Sequence, residues 1–213
     1  MSLPSLLPLF PLPNVVLFPQ VLLPLHIFEP RYRQMVRDVG TGDGLIGMTL
    51  LRGGGEDPTG MVPDMYAVGC AGRMTRKIDL PDGRSHILLQ GVREFVVREQ
   101  TFDRPYRFGA VEWYPRRPAG ERLSEALRRT LVERTRSFVE EQTETRILDD
   151  PTLCDEMLVN LLAFSLDLPV AEKQGLLEIR GLEERAARLV ETVEFHLLER
   201  ECVPSAEIKL RVQ

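Results

Sequence analysis

The sequence predicts an α+β chain, an amino-terminal bent β-barrel with a short helix followed by a carboxy-terminal four-helix bundle. Three observations carry that expectation. Six or more short strand-like runs, punctuated by glycine and turn residues, fill the first half of the chain. Their texture stops at Pro115-Arg116-Arg117-Pro118-Ala119-Gly120, where prolines and charges mark a linker. Beyond it the apolar residues recur at helical spacing until the tail. The boundaries that follow are 1–118 for the barrel, 119–200 for the bundle and 201–213 for the tail.

In chain order, strands are expected at Leu9-Phe10 and around Val15 to Phe18, with Asn14 turning between them. Leu22, Leu23, Leu25 and Ile27 form an apolar arm broken by Pro24, and a proline lacks the N–H that a central strand donates, so this arm belongs on an edge or at a bulge. A helix starts at Pro30, whose fixed φ suits a first helical position. Tyr32, Met35, Val36 and Val39 give it one apolar stripe, and Gly40 and Gly42 end it. Leu45 to Leu51 reads as a strand buried on both faces, and Gly53 to Asp64 as a loop. Tyr66 to Thr75 is a strand bent at Gly69 and Gly72, while Lys77 to Leu80 and Ser85 to Gln90 are hairpin arms around Asp82-Gly83. Glu94 to Glu99 and Tyr106 to Tyr114 complete a sheet bent enough to close on itself.

After the linker, helices are expected over 122–142, from Asp150-Pro151 with a stripe from Cys154 to Ser165, from Pro169 through Leu177, and from Leu182 to Leu197. In the tail, Ile208, Leu210 and Val212 alternate with Lys209 and Arg211. That alternation suits pairing with an edge strand of this chain or of a neighbour, a route to a homo-oligomer, and a disordered terminus is the other reading.

A chain of 213 residues buries roughly 70% of its unfolded surface and needs no disulfide or metal staple. Hydrophobic residues at 43% and charged residues at 28% exclude a disordered or fibrous chain. A net charge of -5 argues against a nucleic acid as main partner, which rewards clustered positive charge. Cys70, Cys154 and Cys202 lie far apart with no CxxC, as in reduced, cytoplasmic proteins. The apolar stretch Leu3 to Leu12 has no basic flank and is broken by prolines, so neither a signal peptide nor a membrane anchor is expected.

Catalytic and cofactor signatures are missing from these 213 residues. No G-x-x-x-x-G-K-[ST] cradles nucleotide phosphates, and no G-x-S-x-G or H-E-x-x-H is present. His26, His86 and His196 have no cysteine or second histidine at ligand spacing, so structural roles are expected of them and no cofactor or metal is implied. Arginine outnumbers lysine 24 to 3, and guanidinium forks bind carboxylates and backbone carbonyls while stacking on aromatic rings.

The residues also carry a resemblance. Leu7 to Val36, LPLFPLPNVVLFPQVLLPLHIFEPRYRQMV, followed by Ile46 to Leu51, resembles the amino-terminal, substrate-binding domain of Lon proteases in a stand-alone form. Val68 to Arg73, Leu80 to Arg84, Gln90 to Phe95, Pro105-Tyr106, Glu172-Lys173-Gln174 and Leu176-Leu177-Glu178 extend the likeness in order over nearly the whole chain. The resemblance implies a PUA-like, partly open barrel before a helical bundle. It implies a non-catalytic module that recognises unfolded or damaged polypeptide, with a complete Lon-type protease as a second partner. Neither a nucleotide site nor anything like that family's serine–lysine pair is found beside Lys77, Lys173 or Lys209. A small-molecule or RNA-binding PUA-like module is the alternative, and an unrecognised hydrolase using His26 or Cys70 a further one. The candidate binding residues are His26, Phe28, Glu29, Arg31 and Tyr32 around the proline-fixed turn, with Met61 and Met65 from the long loop.

Overall fold

The structure is a computed structural model that describes residues 3–40, 42–55, 64–118, 120–139 and 142–202. The strands are β1 (Leu6–Leu12), β2 (Leu22–Ile27), β3 (Leu45–Leu51), β4 (Met65–Asp79), β5 (Ser85–Thr101) and β6 (Arg107–Trp113). The helices are α1 (Pro30–Gly40), α2 (Glu125–Phe138), α3 (Gln142–Asp149), α4 (Asp155–Ser165), α5 (Val170–Glu178) and α6 (Leu182–Cys202). The chain forms two compact units, the first from residues 1–119 with 167–178 and the second from 120–166 with 179–213. Among the described residues no helix is long and apolar enough to cross a membrane.

In the first unit the sheet closes into a ring. β1 pairs parallel with β3, starting at Leu9 with Gly47, and antiparallel with β6, starting at Leu6 with Ala110. β3, β4, β5 and β6 then pair antiparallel in succession, and β5 with β6 completes the circuit from Phe95 opposite Trp113 to Thr101 opposite Phe108. Leu7, Leu9, Leu45, Met65, Ala71, Phe95 and Val111 fill its interior. A buried ion pair adds to this unit, with Arg117 Nη2 donating to Glu94 Oε1 at 2.9 Å.

Two expected strands fuse into each of β4 and β5, which are 15 and 17 residues long. Their register shifts between Ala71 and Gly72, between Met74 and Arg76, and between Val97 and Glu99. Each shift bends the strand, so one chain segment serves the ring and then leaves it. The departing parts, Met74 to Asp79 and Ser85 to Leu89, run on as a hairpin turned by Gly83, whose φ of +79° is the left-handed backbone the expected Asp-Gly turn requires. β2 pairs with the first part of β5, from Leu22 opposite Gln90 to Ile27 opposite Ser85, and makes a three-stranded ribbon with β2 on its edge. Pro24 is therefore on an edge, as its missing N–H demands.

Val15 to Phe18 is not a strand. Val16, Leu17 and Phe18 are buried without joining a ladder, and the chain there closes on β5 through Gln20 N–H to Gly91 O and Gly91 N–H to Val21 O, both 2.8 Å. α1 follows its expected stripe, with Tyr32, Met35, Val36 and Val39 buried.

The helical part departs from the four-helix bundle expected over 119–200. The helix expected over 122–142 stops at Phe138, because Val139 turns to extended backbone (φ -84°, ψ 138°), and α3 follows as a separate element. α4 starts at Asp155 rather than at Pro151, since Asp150 closes a turn by accepting from Thr152 N–H at 2.8 Å and Thr152 Oγ1 at 2.6 Å. α5 joins the first unit, where it packs on β4 and Gln174 Nε2 donates to Val68 O at 3.1 Å. In the second unit α6 runs against α2 and α4. The buried Arg185 of α6 donates to Asn160 Oδ1 at 2.7 Å and to Ile179 O at 2.8 Å.

Candidate functional site: an apolar face on the β-ribbon

Successive side chains of a strand point to opposite faces, so one residue in two of the ribbon faces away from the core. On β2, Leu23 and Ile27 are buried while Leu22, Pro24 and His26 are exposed. On β5, Ile87 and Leu89 are buried, His86 is exposed and Leu88 is half-buried. The register sets these side chains in rows, Pro24 beside Leu88 beside Arg76, and His26 beside His86 beside Ile78. Leu22 is 51% exposed and Ile78 46%, and Phe28, 60% exposed, continues the row past the end of β2. Surface apolars scattered singly need no explanation, but apolar and imidazole side chains aligned on three adjacent strands form a patch.

Within the patch the His26 and His86 rings meet edge to face with centroids 4.7 Å apart, and His26 stacks on Phe28 at 6.0 Å. Arg84 in the hairpin turn brings Nη1 to 3.5 Å from His26 Nε2. Its Nε also donates to Asp82 Oδ2 at 2.6 Å. The Arg84 backbone N–H, with the guanidinium beside it, holds the Asp82 carboxyl below the ordinary carboxylate range. The two histidines, distant in sequence and read there as isolated, are thus brought together by the pairing of β2 with β5.

The structure sorts the residues expected around the turn. His26 and Phe28 lie on the patch. Glu29 and Arg31 close on each other just beyond it, Arg31 Nε donating to Glu29 Oε2 at 2.9 Å while its guanidinium lies over the Tyr32 ring at 4.5 Å. Tyr32 is only 5% exposed and packs on Phe10 with centroids 4.1 Å apart, and this burial raises its hydroxyl pKa. Met65, also 5% exposed, is in the ring's core, where its sulfur accepts from Thr49 Oγ1 at 3.3 Å. Side chains so enclosed offer a ligand almost nothing to touch. Met61 is outside the described residues. Sequence reasoning missed Ile78, His86 and Arg76, although the Asp-Gly turn, once placed, fixes which residues of its two arms face each other.

A second concavity, about 170 Å³, is lined by Leu6, Pro8, Asp38, Asp43, Arg104 and Phe108 among others. Its polar wall is closed on itself. Tyr106 hydroxyl donates to Asp38 Oδ2 at 2.7 Å, Gln34 Nε2 to Asp38 Oδ1 at 2.6 Å, and Arg104 Nη1 to Tyr106 Oη at 3.0 Å. Among the described residues no three His, Cys, Asp or Glu side chains are grouped to hold a metal ion. Cys70 is fully buried, with no surface for an ester or peptide to meet, and the hydrolase reading loses that nucleophile.

Comparison with known proteins follows the same line. A family model described as the ATP-dependent protease La (LON) substrate-binding domain matches residues 6–194. The chain is 28% identical to the Lon protease of Flavobacterium johnsoniae over 99% of its own length, and 31% identical to that of Parabacteroides distasonis over 86%. It spans about a quarter of those curated relatives, 26% and 23% respectively. Its structure is similar to a Lon N-terminal domain protein from Xanthomonas campestris, with a TM-score of 0.67 and 26% identity over 88% of this chain and 98% of that one. The amino-terminal domain of a Lon protease from the Mycobacterium avium complex shares the fold at a TM-score of 0.67 and 15% identity, over 90% of this chain and 99% of that one. This chain therefore belongs to the family of Lon protease substrate-binding domains.

Proposed function

We propose that this chain is a polypeptide-recognition module without catalysis of its own, and that it holds extended, unfolded or damaged segments on the ribbon face of β2, β5 and β4. The observation that carries the reading is the row of exposed Leu22, His26, Phe28 and Ile78 on the ribbon, in a member of a substrate-binding family. An extended segment turns alternate side chains to one face, and where those are apolar a sheet face with the same period receives them. No nucleotide-binding or nucleophile motif in the 213 residues supplies a reaction. A complete Lon-type protease is the natural recipient of a client held this way.

Fluorescence anisotropy with a labelled, permanently unfolded protein tests the proposal, with the same protein in its folded form as control. We expect binding with a Kd on the order of tens of micromolar, which is the strength a few apolar contacts supply. Leu22→Ser combined with Ile78→Ser should weaken it about tenfold or more, while circular dichroism stays unchanged. Absence of binding by the unmodified chain, or undiminished binding by the double variant, overturns the assignment.

A further inference from the structure

The ribbon face has an electrostatic character that the chain as a whole lacks. The protein carries a net charge of -5, yet none of the outward positions 22, 24 and 26 on β2, 86, 88 and 90 on β5, or 76 and 78 on β4 holds a carboxylate. Arg76 projects there with no side-chain hydrogen bond or ion pair to any described residue. Arg84 reaches the edge of the patch through His26, and the two imidazoles occupy its centre. The nearest acids are engaged elsewhere. Asp82 is held by Arg84, Asp79 by Lys77 at 3.0 Å on the opposite parity of β4, and Glu29 by Arg31.

From this charge distribution we propose that the face selects extended apolar segments that also carry carboxylates. The proposal rests on the polypeptide-binding reading above and specifies its client. An apolar segment flanked by aspartates sets its side chains among Leu22, Ile78 and Leu88 while the carboxylates meet Arg76 and the imidazole edge. A lysine-flanked segment meets the same apolar row and is repelled. Complementary charge of this kind steers encounter and discriminates between partners more than it adds affinity. The charged groups around the patch are Arg84 and Asp82 from the turn, Arg33 of α1 beside Gly83, Arg76, Lys77 and Asp79 from β4, and Glu29 with Arg31 beyond Phe28.

The test uses the full chain and two labelled peptides with one common apolar centre, one flanked by aspartates and the other by lysines. Anisotropy at pH 7.5 and low salt should show the aspartate peptide bound about tenfold more tightly, with the gap narrowing at high salt. Arg76→Glu should reverse the preference. Equal affinity for the two peptides, or a preference for the lysine peptide, overturns the charge selection and leaves polypeptide binding intact. Failure of both peptides to bind ends the polypeptide-binding reading itself.

Discussion

Asp38 shows how one side chain makes stability depend on pH. The Tyr106 hydroxyl is the main cause of its lowered pKa, partial burial opposes it, and Gln34 and Arg104 add to the lowering. The carboxyl therefore titrates below its ordinary value of 3.8 in the folded chain. An unfolded chain binds the proton first on acidification, so the stability from this group is fully present above about pH 4 and is lost as pH falls through the folded value. Tyr106→Phe removes the donor and leaves the ring, which is buried and whose own hydroxyl pKa is raised by that burial and then by Asp38. We expect the variant to lose about 1 kcal/mol at pH 7 and less at pH 3, below the ordinary carboxylate value, where the unfolded chain already takes up the proton. Urea denaturation at the two pH values gives the comparison, and a loss that is the same at both would show that the hydroxyl does not stabilise the carboxylate.

At the scale of elements, the segment from Phe18 to Val21 shows where sequence reading reaches its limit. Val15 to Phe18 has the composition of a strand, but what the chain needs there is a plug. Gly91 decides this, because a Cβ built on it would overlap the Phe18 carbonyl while its own N–H and C=O hold Val21 and Gln20. Gly91→Ala should push the segment off β5 at a cost of about 2–4 kcal/mol, read as a lower urea midpoint at unchanged slope. A shift below about 0.5 kcal/mol would mean that the backbone yields there. Local signals with a physical cause were legible, namely the α1 stripe, the edge position of Pro24 and the Asp-Gly hairpin. Long-range pairing was not. Nothing in the β5 sequence says that its first part meets β2 and its last part β6, since a strand of alternating pattern pairs equally well with several others. The same blindness hid the ribbon patch. His26 and Phe28 could be named because they adjoin a recognisable turn, whereas His86 and Ile78 become neighbours of His26 only through a register. Tyr32 and Met65 are large apolar side chains, and size and polarity suit a core as well as a binding surface.

At the scale of the molecule, the chain does not finish one unit before starting the next. It leaves the sheet unit after residue 119, builds α2, α3 and α4, returns to lay α5 on β4, and departs again for α6. A helix of nine residues is too short to be stable in water, so α5 exists because of what it packs against. Gln174 is the polar part of that docking. It is almost wholly buried, and its amide supplies a donor to the Val68 carbonyl of β4. A fragment of residues 1–119 therefore contains every strand yet lacks an element of its own unit, and it should unfold at a lower urea concentration than the full chain. Trp113, the sole tryptophan, sits on β6 with its ring edge to face against Phe95 at 5.9 Å, and its fluorescence reports this unit alone. In the full chain, Gln174→Ala leaves Val68 O without that donor and should cost about 1–3 kcal/mol by the same fluorescence. The fragment should lose more than the point variant, because it forfeits the apolar packing of α5 along with the hydrogen bond. If the fragment and the full chain melt together, the sheet is complete without α5.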